Sequence, residues 1–88
     1  MMIEPVNMRP VWEKILEYAT SPVQGTLSRK QRKGVKIQIN DGEVLENATV
    51  FMSNEFIRFT QKSGNENVNS YYAWEGVQQI KTISPQED

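Results

Sequence analysis

Eighty-eight residues with a formal net charge of −1 and neither cysteine nor histidine bound a single small domain, one that buries a smaller share of its surface than a typical domain does. Disulfides and a His- or Cys-ligated structural zinc are excluded, and chemistry that recruits a histidine base has no residue to use. The composition therefore predicts no enzymatic activity, no cofactor and no metal site, and leaves self-association as the remaining support for a modest core.

The opening MMIEPVNMRP has no basic segment followed by an apolar run, and no window approaches the ~20 apolar residues of a membrane span. A soluble, cytoplasmic protein without a membrane partner is the expectation. A helix is predicted over 7–20, with Pro10 in its first turn and Val11, Ile15 and Tyr18 recurring beside Trp12, Leu16 and Ala19. It stops before Ser21-Pro22. Glu13 and Glu17 form an i,i+4 pair, and with no His or Arg partner evident they read as a solvated face.

Residues 21–34 lack helical periodicity and form a connector of open conformation, although Val23, Gly25 and Leu27 permit a short extended piece. Half of the ten basic residues cluster at its end: Arg29, Lys30, Arg32, Lys33 and Lys36. A run of a single sign differs from the mixed charge that usually solubilises a loop, and it supplies what phosphate binding needs.

From Val35 the period changes to two. Val35, Ile37 and Ile39 face one way, Lys36, Gln38 and Asn40 the other. Asp41-Gly42 signals a tight hairpin, and the chain returns through Glu43 to Met52. Ser53-Asn54-Glu55 reads as a second turn, and Phe56 to Gln61 as a third strand with Ile57 and Phe59 on one face. KSGNENVN is a polar loop whose Asn65, Glu66 and Asn67 lack the acidic spacing of a calcium site. A fourth strand, Val68 to Trp74, ends at Glu75-Gly76, and a short fifth runs near Gln79 to Ser84, ahead of a tail at 85–88.

One helix followed by five strands suggests a small, strongly bent antiparallel barrel filling residues 35–84. Here the chain resembles the Sm/Lsm family, and in layout its bacterial host-factor (Hfq) branch. VKIQINDGEVLENATVFMSNEFIRF, residues 35–59, is similar to that family's first strands and hairpin, and YYAWEGVQQIKTI, residues 71–83, to its closing step. The glycine that lets the family's second strand bend falls on Asn47, and the aspartate after that strand on Ser53. Small Sm-like proteins of phage origin depart from the pattern in this way.

The resemblance implies a ring in which open strand edges of head-to-tail neighbours pair, a cyclic homo-oligomer of roughly five to eight copies. It also implies RNA as partner and a role in RNA processing. The basic run Arg29, Lys30, Arg32, Lys33 and Lys36, together with Asn54, Phe56 and Trp74, is the candidate RNA contact, and Tyr71 and Tyr72 are further stacking candidates. Against a uridine pocket, the family's pocket positions map onto Glu55, Ile57 and Glu75, two acids and one apolar residue, so weak base preference is expected. The other reading is a homo-oligomeric scaffold that docks an acidic protein partner and binds no RNA.

Overall fold

The computed structural model describes residues 7–86. The chain is mostly β, with one N-terminal helix and two antiparallel sheets. Helix α1 (Arg9–Ala19) has proline in its first turn, and the Met8 carbonyl accepts from the N–H groups of Val11 and Trp12, both at 3.0 Å. It buries Leu16 and Ala19 and packs against the first and last strands.

The segment read as a connector is a hairpin. β1 (Thr20–Pro22) pairs antiparallel with β2 (Arg29–Gln31), so the cationic residues 29 and 30 sit in a strand rather than a loop. Sequence periodicity misses such short strands because three residues carry no measurable alternation. β3 (Lys36–Ile39) buries Ile37 and Ile39 as its period predicts. Its turn is closed by the Gly42 N–H on the Ile39 carbonyl at 3.0 Å, but the left-handed residue is Asn40 (φ 55°), not Asp41 or Gly42. Asn40 tolerates that conformation, and its side chain is held elsewhere: Nδ2 donates to the Gly76 carbonyl, and Oδ1 accepts from the N–H of Gln78. Gly42 answers to space instead, since a Cβ there would lie 3.2 Å from the Ile39 carbonyl oxygen and 3.3 Å from the Tyr72 hydroxyl.

The predicted long return strand is broken in two. β4 (Val44–Leu45) pairs with β3, whereas β5 (Thr49–Met52) pairs with β2 and β6 (Phe56–Ser63). Between them Asn47 takes φ 54°. That left-handed residue turns the chain out of one sheet and into the other. β6 runs straight into β7 (Glu66–Ala73) across Gly64 (φ 62°), so the expected polar loop shrinks to a tight turn and most of KSGNENVN is strand. A single 3-10 turn, Trp74–Gly76, leads to β8 (Ile80–Ile83), which returns to β3.

The sheets are β1-β2-β5-β6-β7 and β4-β3-β8. No strand of one pairs with a strand of the other, so the expected five-stranded closed barrel is instead eight short strands in two open sheets among the described residues. Both sheets, α1 and the 3-10 turn contribute to one core, in which Leu16, Ile37, Ile39, Val50, Ile57 and Phe59 are fully buried. Gln31 lies within it at 3% exposure. Its amide Nε2 donates to the carbonyls of Val35 (2.9 Å) and Leu45 (2.6 Å), and its Oε1 accepts from the Ala48 N–H at 3.0 Å. One side chain thus ties both sides of the Asn47 break to β2, and every polar atom of the buried amide is satisfied.

Candidate nucleic-acid interface

The basic run divides on folding. A helix leaves its last four carbonyls without intrahelical partners, and in α1 these belong to Leu16, Glu17, Tyr18 and Ala19. Thr20 Oγ1 donates to Leu16 O at 2.6 Å, and the Thr20 N–H to Glu17 O. Arg29 Nε donates to Thr20 Oγ1 at 2.7 Å while its Nη2 reaches Glu17 O at 3.3 Å. Arg32 Nε donates to Tyr18 O at 2.8 Å, and its backbone N–H to Ala19 O at 3.0 Å. All four carbonyls are satisfied. Two guanidinium groups also sit at the negative end of the helix dipole, where the helix has no cation of its own in its last turn.

Arg29 and Arg32 are therefore occupied by the fold. Lys36 faces Glu46 at 3.8 Å, and Lys30 Nζ donates to the Asn47 carbonyl at 2.7 Å while staying exposed. Lys33 is exposed in the turn before Gly34 and makes no side-chain hydrogen bond among the described residues.

Asn54, Glu55, Trp74 and Glu75 meet in a cleft of about 570 Å³, against Arg9 and Trp12 from the helix start. Arg9 closes one wall: its Nη1 and Nη2 donate to the backbone and side-chain oxygens of Asn54 at 2.9 and 3.1 Å, and its guanidinium lies 5.5 Å from the Trp74 ring centre. Arg9 also bonds the Glu13 carboxylate. Glu13, read from sequence as unpartnered, thus has an arginine four residues upstream. Trp74 is 7% exposed, and its indole N–H donates to the Ser53 carbonyl at 2.8 Å. Its ring is wall, not a free stacking platform. Ile57, the third mapped pocket position, is fully buried in the core and takes no part in the cleft.

The remaining aromatic candidates separate by strand parity. Tyr72 turns inward and packs edge-on against Phe59, ring centres 5.9 Å apart. Phe56 and Tyr71 turn outward and meet at 5.5 Å, with Phe51 at 6.4 Å from Phe56. Arg58 lies between them in register, paired with Phe51 on β5 and with Tyr71 on β7, and its guanidinium sits 5.2 Å from the Phe51 ring centre. Phe51, Arg58 and the neighbouring Lys62 escaped the sequence reading. The signal was available, since each occupies the face opposite Val50, Ile57 and Phe59, but only the register shows that they adjoin.

Among the described residues no group of three or more acidic side chains is arranged to hold a metal ion, and no helix is long and apolar enough to cross a membrane. No family model, no curated protein and no solved structure matches the chain.

Proposed function

We propose that this chain is an Sm-like protein that assembles as a homo-oligomeric ring and holds single-stranded RNA with weak base preference, in RNA processing. The observation that carries the reading is Asn47. It stands where the family pattern has a bending glycine, and its φ of 54° is the conformation for which glycine is ordinarily needed. The order that follows, hairpins, the Trp74–Gly76 step and a short last strand, supports the reading, although the sheets are open where the family pattern expects a closed barrel.

The open sheet edges support assembly. β7 is an eight-residue edge strand with largely exposed side chains, and β8 is an edge of the other sheet. Exposed edges of this length invite pairing with another chain, and a head-to-tail contact that closes makes a ring. The bonding of Arg29 and Arg32 to the helix end takes two of the five cations of the basic run from either partner, RNA or the acidic protein of the scaffold reading.

Native mass spectrometry of the purified protein tests this, since it reports subunit number and bound nucleic acid together. A cyclic oligomer carrying RNA that nuclease or salt removes is expected. A monomer near 10.2 kDa removes the ring, and an oligomer that never takes up RNA turns the reading toward the scaffold.

A further inference from the structure

The outward face of the larger sheet has a composition that neither the core nor the helix explains. Val50, Ile57 and Phe59 point inward, so alternation sends the neighbours of those positions outward. One row across the strands is Lys30, Thr49, Thr60 and Asn69, and the next is Phe51, Arg58 and Tyr71. Phe56 extends the aromatic row at one end, and the Lys62–Asn67 pair extends the polar one at the other. Lys30, Arg58 and Lys62 line a shallow groove of about 560 Å³, which Arg58 joins to the row of rings. The one carboxylate at its rim, Glu46, is turned to Lys36.

We propose that this face is the RNA-binding surface of the subunit, with phosphates along the Lys30–Arg58–Lys62 groove and a base stacked on Tyr71 beside Phe51 and Phe56. The inference rests on the RNA reading above and moves the contact away from the basic run on which the sequence placed it. Three observations carry it. Tyr71 is 59% exposed although it is a large aromatic residue in mid-strand. The Arg58 guanidinium lies 5.2 Å from the Phe51 ring centre, and its Nε has no hydrogen-bond partner among the described residues. A line of cations running beside a row of rings matches the chemistry of a single strand, whose charge lies along one line and whose apolar faces lie along another.

A second copy of this chain is a poorer occupant of the same face. In a two-fold contact this cationic patch would face its own copy across the axis, and the head-to-tail contact proposed above uses strand edges instead of this face. A polyanion meets the patch without that like-charge repulsion.

Fluorescence anisotropy of the full chain with labelled twelve-nucleotide oligo-A, oligo-C and oligo-U at several salt concentrations tests the proposal. Tyr71→Ala should weaken all three by about tenfold through loss of one stacked base. Lys62→Ser, at an exposed strand end, should lower the slope of log K against log salt by roughly 0.7. Arg58→Lys keeps the charge but not the planar fork, so it should weaken binding several-fold with the slope retained. Wild-type binding that all three variants leave unchanged overturns this inference alone. Absence of wild-type binding overturns the RNA reading with it. A Tyr71→Ala protein of altered oligomeric mass assigns the face to contact between copies and likewise overturns the proposal.

Discussion

Replacing Gln31 by leucine removes the amide that joins β2 to both sides of the Asn47 break while leaving a side chain of similar bulk. The loss can be worked from its three bonds, to the carbonyls of Val35 and Leu45 and from the N–H of Ala48. The Ala48 N–H loses its acceptor inside the core, at about 1–3 kcal/mol for a buried unsatisfied donor. The two carbonyls each keep a second lone-pair direction and cost less, so the total is about 3 kcal/mol. For a chain of this length that lowers Tm by roughly 12–24 °C. Gln31→Glu should cost more still, because a buried carboxylate would face two carbonyl oxygens with no cation beside it. Circular dichroism melts and urea titrations, all at one protein concentration because an oligomer's stability depends on it, give the order wild type, then Gln31→Leu, then Gln31→Glu. A Gln31→Leu protein within about 0.5 kcal/mol of wild type, or a Gln31→Glu protein more stable than it, would refute the account of how the break is held.

Arg29→Ala and Arg32→Ala should each lower stability by about 1 kcal/mol, by uncovering carbonyls at the end of α1; urea unfolding measures it, and the salt slope of RNA binding should stay as in wild type, since these guanidinium groups are turned to the helix. Asn47→Gly should keep wild-type stability within about 0.5 kcal/mol, whereas Asn47→Val should lose about 1–3 kcal/mol because a β-branched residue is strained at positive φ; thermal melts of the pair decide whether that conformation makes the bend. The wild type should bind oligo-U no better than oligo-A, because Glu55 and Glu75 border the cleft where a uridine site needs stacking and positive charge; anisotropy on Glu55→His with Glu75→Arg should show a selective gain for oligo-U, and a strong oligo-U preference in the wild type would contradict the mapping.

What the chain states by itself is whatever depends on neighbours a few residues away. The helix was legible in Pro10 and the spacing of Leu16 and Ala19, although Val11 and Tyr18, read with them as periodic, are exposed; β3 was legible in the alternation of Ile37 and Ile39, and β6 in Ile57 and Phe59, because burial on one face imposes a period on the residues themselves. The hairpin after β3 was legible in kind but not in its residue. Local propensity placed positive φ on Asp41-Gly42, and the bonds that draw the Asn40 side chain to Gly76 and Gln78 moved it one position back. Only the tertiary structure decided the fate of the basic run. Five cations in eight positions look alike as a string, yet pairing of β2 with β1 and β5 turns Arg29 toward the end of α1 and Lys30 to the outer face. The same register sets Phe51, Arg58 and Tyr71 side by side although as many as thirteen positions separate neighbours in the chain. Such adjacency comes from hydrogen bonds between strands, and no period along the sequence encodes which residue will stand opposite which.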